Sequence, residues 1–182
     1  MKRIFVTVGT TKFPKLVNAI TTEQVIQTLL SLGYNFVQIQ TGRDFSKVEF
    51  DSVVSPPPEI KLEANSTIVT VNDKLTIKYD TYFENFEKEV EESDLVISHA
   101  GAGSCLEVLH KRKPLIVVIN EDLMDNHQSE LAEQLQKDGY VYCSTCSTLK
   151  EVLKKDLSKL RPYPKPDDSL FPRYLDKCMG FT

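Results

Sequence analysis

The 182-residue sequence lacks several features that would set its function class at once. No apolar run approaches the roughly 18 residues of a membrane span, and the N-terminal residues lead directly into a strand-like run rather than a signal-peptide pattern. The formal net charge is −4, and no basic stripe interleaved with aromatic residues occurs. Nucleic-acid binders that neutralise phosphates are usually basic. We therefore expect a cytoplasmic protein with no transmembrane segment of its own and no nucleic-acid partner.

Cysteine is sparse, and the four residues are scattered: Cys105, Cys143, Cys146 and Cys178. A reducing compartment would keep them as thiols. Cys143 and Cys146 have the spacing of a redox or metal motif, but no second pair follows at the spacing of a zinc ribbon. The lysine motif of phosphate-binding loops is also absent, and Gly101–Cys105 does not match the esterase elbow because serine is not at its centre.

The length and composition are those of one folded domain. Hydrophobic residues make up 41% of the chain and charged residues 26%, which is ordinary for a globular protein. We predict one domain over residues 1–160, followed over residues 161–182 by an extended strap and a helix at Ser169–Met179.

Two βαβ units can be identified along the chain. In the first, a strand at Lys2–Val8 precedes a helix that begins near Pro14, a second helix that Thr21 or Thr22 caps and Gly33 ends, and a strand at Tyr34–Gln40. In the second unit, strands at Asp94–Ser98 and Pro114–Ile119 flank a helix at Gly103–His110. Units of this kind predict an α/β, Rossmann-like fold with a mostly parallel sheet.

The segment between these units predicts a hairpin insertion. Ile60–Leu62 and Thr67–Val71 are short alternating runs that can pair, and a turn at Asn72–Lys74 leads to a strand at Leu75–Tyr79 in the main sheet. The sheet is therefore expected to be mixed. Phe45–Val53 is interpreted as a short helix or a loop. Three further elements are predicted nearer the C-terminus: a helix at Asp125–Lys137, a strand at Tyr140–Tyr142 and a helix at Ser147–Leu153.

A glycine-rich turn joins the strand and helix of the second unit, over His99–Ser104. Free N–H groups and the helix dipole at such a helix start favour an anionic ligand, typically phosphate. The alternative is a tight turn that only packs the helix on the sheet. Leu106 stands where a dinucleotide-binding fingerprint would have its third glycine, so that fingerprint is incomplete.

Glu107 lies one helical turn beyond Gly103, where a carboxylate could accept hydrogen bonds from the two hydroxyls of a ribose. A solvated helix carboxylate is the alternative interpretation. His99, at the end of the strand, is either a site residue or a satisfied turn residue.

Two more segments follow strands at the carboxyl edge, where parallel sheets bind ligands. Asn126, His127 and Gln128 offer donors and acceptors suited to sugar hydroxyls, although Asp125 or Asn126 could also cap the helix. Backbone N–H groups and the two hydroxyls of Gly9–Thr11 could reach a pyrophosphate or a developing negative charge, unless this segment is a plain loop.

Four ordered segments together closely resemble the catalytic subunits of the eukaryotic UDP-N-acetylglucosamine transferase of the dolichol pathway. They are Phe5–Val17, Ser93–Ser104, Lys113–Val118 and Leu123–Gln128, and the match runs from about Arg3 to Tyr142. The sequence is also similar to the donor-binding half of the bacterial enzyme that adds N-acetylglucosamine to lipid I.

The resemblance implies a role for each site residue. Gly101, Ala102, Gly103 and Ser104 would hold phosphate, Glu107 the ribose, and Asn126, His127 and Gln128 the sugar. Gly9, Thr10 and His99 would face the reacting centre, with Thr11 beside them on the donor. The implied reaction transfers N-acetylglucosamine from UDP to N-acetylglucosaminyl-diphosphodolichol with inversion, forming a β1,4 link without a metal or a cofactor.

The resemblance also implies that the complete enzyme has a second, acceptor-binding half supplied by another subunit. Enzymes of this type need an acceptor-binding domain and a general base, which in this family come with a membrane-anchored partner at the cytosolic face of the endoplasmic reticulum. The predicted C-terminal helix carries apolar residues, among them Leu170, Phe171, Tyr174 and Leu175, that could dock on this partner or pack on the chain's own sheet. Alternatives are a non-catalytic nucleotide-sugar-binding module of the same fold and, more weakly, a hydrolase or epimerase acting on UDP-N-acetylglucosamine.

Overall fold

The fold is built on a mixed sheet of eight strands within the residues that the computed structural model describes, 1–42, 58–63, 66–83, 85–122 and 126–164. The strands are β1 (Arg3–Thr7), β2 (Phe36–Gln40), β3 (Glu59–Leu62), β4 (Ser66–Val71), β5 (Leu75–Asp80), β6 (Leu95–His99), β7 (Leu115–Val118) and β8 (Tyr142–Ser144). The helices are α1 (Pro14–Ile20), α2 (Glu23–Ser31), α3 (Phe86–Glu91), α4 (Ala102–His110), α5 (Asn126–Lys137) and α6 (Leu149–Leu153), followed by a 3-10 turn at Leu157–Lys159.

The strand order is β3-β4-β5-β2-β1-β6-β7-β8. Strands β5, β2, β1, β6, β7 and β8 pair in parallel, whereas β3 and β4 are antiparallel to their neighbours. The predicted mixed, mostly parallel sheet with a hairpin insertion is thereby confirmed. Asn72 and Asp73 both have positive φ, at 52° and 53°, as a tight hairpin turn between β4 and β5 requires.

Helix α1 begins at Pro14, as predicted, because proline is tolerated in a first turn whose N–H has no acceptor. Helix α2 ends at Ser31, and Gly33, which follows the C-cap residue Leu32, has a φ of +80°. The amides of Gly33 and Tyr34 donate to the carbonyls of Leu30 and Leu29, which is the bonding pattern of a Schellman motif. Thr22 stands at the N-cap of α2, but its hydroxyl donates to Ala19 O rather than accepting a helix amide, so the predicted side-chain cap is wrong.

The last strand lies two residues later than predicted. Gly139 ends α5 with a φ of +82°, and the amide of Tyr140 still donates to Leu135 O in a second Schellman motif. Tyr140 therefore belongs to the helix end, and pairing with β7 starts only at Tyr142.

Apolar side chains fill both faces of the sheet and make three layers. One face packs against α1, α2 and α6, and the other against α3, α4 and α5. Phe5 in β1 is fully buried on the second face, beneath α3. This layering leaves the carboxyl edge of the parallel strands open to a ligand.

Part of the predicted organisation lies outside the described residues, namely Phe45–Val53 and the helix at Ser169–Met179. The start of the predicted strap is described: Arg161 N donates to Gly139 O at 2.8 Å, and Tyr163 packs against Tyr140 and His110. None of the helices in the described ranges combines the length and the apolarity that crossing a membrane would need.

Candidate functional site

The strand order places a crevice between β1 and β6. From β1 the chain proceeds to β2 on one side, and from β6 it proceeds to β7 on the other, so the connections after these two neighbouring strands diverge. Open α/β sheets bind ligands at such a switch point, outside the carboxyl ends of the strands.

A cleft of about 330 Å³ opens at this point. It is lined by Gly9, Thr10, Gln40, Tyr82, Phe83, Phe86, His99, Gly101, Gly103, Ser104 and Glu107. Seven of these residues were predicted from the sequence, and they come from the loop after β1, the end of β6 and the first turns of α4. The structure therefore brings most of the predicted site together.

The His99 ring fits between two glycines. A Cβ atom at Gly9 would lie 2.6 Å from His99 Cε1, and one at Gly101 would lie 2.3 Å from His99 Nε2. Gly9 also has a φ of +62°, a conformation that other residues rarely adopt. These two glycines are needed because a larger residue at either position would collide with the imidazole.

His99 is a buried imidazole that lines the cleft. It is 8% exposed, and its Nδ1 has no hydrogen-bond partner among the residues that the structure describes. Burial lowers the pKa of His99 below its usual value, an effect that the backbone of Thr7 partly opposes. At neutral pH the ring is therefore uncharged, so that one of its nitrogens can donate a hydrogen bond and the other can accept one.

The N-terminus of α4 supplies unsatisfied donors next to this ring. The amide of Cys105 is the first that donates within the helix, to Gly101 O at 3.0 Å, which leaves the amides of Ala102, Gly103 and Ser104 without a helical acceptor. No side chain in the described part of the chain caps this end. A Cβ at Gly103 would meet nothing within 4 Å, so an oxyanion can approach the backbone closely here.

Glu107 lies one turn further along α4 and is exposed to the cleft. Its carboxylate makes no ion pair or hydrogen bond with another described residue. The side chain is therefore free to accept hydrogen bonds from a diol.

Two predicted residues lie away from the cleft wall. The Thr11 hydroxyl donates to Val8 O at 2.7 Å and so closes the loop after β1. Ala102 is exposed at the start of α4 and contributes only its backbone. Asn126, His127 and Gln128 form the first turn of α5, after β7 and at the same sheet edge, but their side chains lie outside the described part of the chain.

Four residues of the cleft were missed at the sequence level: Gln40, Tyr82, Phe83 and Phe86. Phe83 and Phe86 pack edge-to-face on Phe5, with centroid distances of 5.6 and 5.4 Å. They also form an aromatic wall that can take a planar ring. One signal could have identified Gln40. It is a polar residue at the carboxyl end of a strand, as are the last residues of the neighbouring strands β1 and β5.

Neither the thiols nor the acidic residues of the described part form a second reactive site. No group of three His, Cys, Asp or Glu side chains among the described residues could hold a metal ion. Burial raises the pKa of Cys105 to about 12 and that of Cys143 to about 11, so both are unreactive thiols at neutral pH.

Comparison with known proteins gives the family. The model of the glycosyltransferase family 28 C-terminal domain matches residues 3–173. The UDP-N-acetylglucosamine transferase subunit ALG13 of Saccharomyces cerevisiae is 35% identical, over 96% of this chain and 94% of its own length. ALG13 of Cryptococcus neoformans is 34% identical, over 98% and 96%. Mouse ALG13 is 44% identical, but the match covers 82% of this chain and only 11% of the mouse protein.

Solved structures agree with these sequence matches. The solution structure of ALG13 superposes with a TM-score of 0.72 at 33% identity, over 96% of this chain and 94% of that one. MurG of Acinetobacter baumannii gives 0.61 at 20% identity, over 97% of this chain and 50% of that one. The fold is thus that of the C-terminal half of GT-B glycosyltransferases. More narrowly, the chain belongs to glycosyltransferase family 28 and, within it, to the ALG13-type UDP-N-acetylglucosamine transferase subunits.

Proposed function

We propose that the chain is the catalytic, donor-binding subunit of an inverting glycosyltransferase. It transfers N-acetylglucosamine from UDP-N-acetylglucosamine to N-acetylglucosaminyl-diphosphodolichol, the second step in assembling the lipid-linked oligosaccharide for protein N-glycosylation. The observation that carries the proposal is the open N-terminus of α4 beside the buried His99, in a cleft that also holds Glu107 and an aromatic wall. Membership of the ALG13-type subunits supports the choice of UDP-N-acetylglucosamine.

Different groups in the cleft bind different parts of the donor. The free amides at the start of α4 bind diphosphate oxygens, Glu107 accepts hydrogen bonds from the ribose, and the aromatic wall holds the base. In the reaction, the 4-hydroxyl oxygen of the acceptor sugar attacks the anomeric carbon and loses its proton to a general base. The bond from that carbon to UDP breaks, and its electron pair leaves on the phosphate. The α4 amides and a hydrogen bond from neutral His99 stabilise this charge, with no metal required.

A membrane-anchored partner subunit is part of the proposal. The cleft accounts for the donor alone, and the acceptor is a lipid-linked sugar that needs a binding half of its own. We propose that this half is a separate subunit, that it holds the chain at the cytosolic face of the endoplasmic reticulum, and that the chain transfers sugar only in that complex. Its relatives are named as subunits of a transferase, which supports such an assembly.

The test combines binding with transfer. Glu107→Ala should weaken binding of UDP-N-acetylglucosamine by roughly 1–3 kcal/mol, since hydrogen bonds to a carboxylate are lost, while the exposed position leaves the fold intact. Unchanged affinity, measured by calorimetry, would remove Glu107 from the site. Transfer from radiolabelled donor is then measured for the chain alone and with the membrane partner. Donor binding without transfer in the reconstituted complex would contradict the enzymatic role and leave a nucleotide-sugar-binding module.

A further inference from the structure

The Gln40 side chain is a polar group in the cleft, and only the oxygen of its amide has a hydrogen-bond partner in the described part of the chain. It ends β2, is 4% exposed and lines the cleft. Its Oε1 accepts a hydrogen bond from Thr7 Oγ1 at 2.5 Å. Its Nε2 makes no hydrogen bond with any residue of the described part. This nitrogen keeps contact with solvent in the cleft, where a ligand oxygen can take the place of water as its acceptor.

The orientation of this amide is fixed by its neighbour. The proton of the Thr7 hydroxyl needs an acceptor, and Gln40 Oε1 supplies it, which assigns the amide oxygen to this contact. Thr7 Oγ1 in turn accepts from Gly9 N at 3.0 Å. The Thr7 hydroxyl therefore joins the loop after β1 to Gln40 and holds the amide nitrogen on the ligand side.

We propose that Gln40 is a further ligand-binding residue, which donates a hydrogen bond from Nε2 to an oxygen of the bound nucleoside diphosphate, and that Thr7 is the residue that positions it. The inference rests on the proposed function, since it takes the ligand to be UDP or its sugar ester. Gln40 lies on β2, next to β5, whose following segment carries Phe83 and Phe86. The accepting oxygen therefore belongs either to the base beside this wall or to the diphosphate.

Gln38 provides a matched control on the same strand and the same face. It is as deeply buried as Gln40, but its Nε2 already donates to Asp80 Oδ2 at 2.6 Å and to Lys78 O at 3.2 Å. It does not line the cleft. Replacing Gln38 removes a buried amide of the same type without touching the ligand.

The experiment measures UDP binding to the full chain by calorimetry. Gln40→Met should raise the Kd about fivefold to tenfold, the effect of one lost hydrogen bond, whereas Gln38→Met should leave it within about twofold. Gln40→Glu keeps the oxygen that Thr7 needs but lacks the donor, and it should lose at least as much. A wild-type Kd in both Gln40 variants, or an equal loss in Gln38→Met, would overturn the inference. If the wild-type chain does not bind UDP, the proposed function itself fails.

Two further arms test the position of Gln40. Thr7→Val should raise the Kd for UDP, and Thr7→Ser should restore it, because serine keeps the hydroxyl; equal affinities in the two variants would refute the positioning role. Uridine, titrated by NMR, distinguishes the two sources of the oxygen. An equal loss of affinity for uridine and UDP in Gln40→Met assigns the oxygen to the nucleoside, and a loss for UDP alone assigns it to the diphosphate.

Discussion

The fit of His99 between two glycines makes Gly101 a position where even a methyl group should be costly. An added methyl at Gly101 would lie 2.3 Å from His99 Nε2, so the ring or the start of α4 must move. We expect Gly101→Ala to destabilise the chain by roughly 1–3 kcal/mol, the usual range for overpacking a well-packed site. Urea unfolding followed by circular dichroism measures this loss.

Gly103 is the control for this prediction, because it lies two residues away in the same turn with open space where its Cβ would be. Gly103→Ala should leave stability unchanged or raise it by up to about 1 kcal/mol, since alanine favours a helix over glycine. Equal unfolding free energies for the two variants would show that the close approach of Gly101 to His99 is not a constraint.

The buried His99 should also make stability depend on pH. Burial lowers its pKa in the folded chain, so as the pH falls below about 6.5 the unfolded chain takes up this proton first. The contribution of the neutral ring is complete above that pH and is lost below it, down to the folded pKa. Unfolding free energies at pH 7.5 and 5.5 should therefore differ less in His99→Gln than in the wild type. Parallel pH profiles would contradict this assignment.

At the scale of the element, the short helix α3 carries Phe86 of the aromatic wall, and both of its ends are held by contacts of their own. Asn85 Oδ1 accepts a hydrogen bond from Lys88 N at 2.9 Å and caps the first turn. Arg3 in β1 anchors the other end through ion pairs with Glu89 and Glu92. Asn85→Ala should lower stability by about 0.5–2 kcal/mol, and Asn85→Asp should not, because aspartate caps equally well. Calorimetric melts of both variants decide this, and an equal loss in Asn85→Asp would exclude a capping role.

Local patterns predicted most of the elements because their determinants are local. The alternation of apolar and polar residues and the turn at Asn72–Lys74 predicted the hairpin, and Gly33 indicated where α2 ends. The predicted start of the last strand, Tyr140, was wrong because the amide of Tyr140 donates to Leu135 O in the Schellman motif after α5. The spacing of apolar residues does not reveal that hydrogen bond.

The site was only partly predictable, since part of it depends on contacts between strands. The glycine turn and Glu107 follow from a single segment. Gln40 belongs to the cleft because β2 pairs with β1, which puts it opposite Thr7, more than thirty residues earlier in the chain. The Thr11 hydroxyl, expected at the ligand, instead closes its own loop. Such choices between local and distant partners are decided by the assembled sheet.

At the scale of the whole molecule, the first residues of the strap predicted after residue 160 contact the folded domain. Arg161 N donates to Gly139 O, and the Tyr163 ring lies 5.0 Å from that of Tyr140 and 5.6 Å from that of His110. A chain ending at residue 160 should therefore be less stable than one ending at residue 164, by about 1–3 kcal/mol for a lost hydrogen bond and aromatic cluster. Urea titrations of the two truncated chains compare their stabilities, and equal midpoints would show that these contacts of the strap do not stabilise the domain.

We expect the segment after Pro166 to bind the partner subunit rather than the donor. The cleft residues all lie before residue 108, so removing everything after Pro166 takes no known cleft residue away. The deleted segment carries Leu170, Phe171, Tyr174 and Leu175, whose apolar surface suits a protein interface. The truncated chain should bind UDP with wild-type affinity in calorimetry but should fail to co-purify with the membrane subunit. An unaltered complex would refute the docking role, and a parallel loss of UDP binding would show that the segment supports the donor site instead.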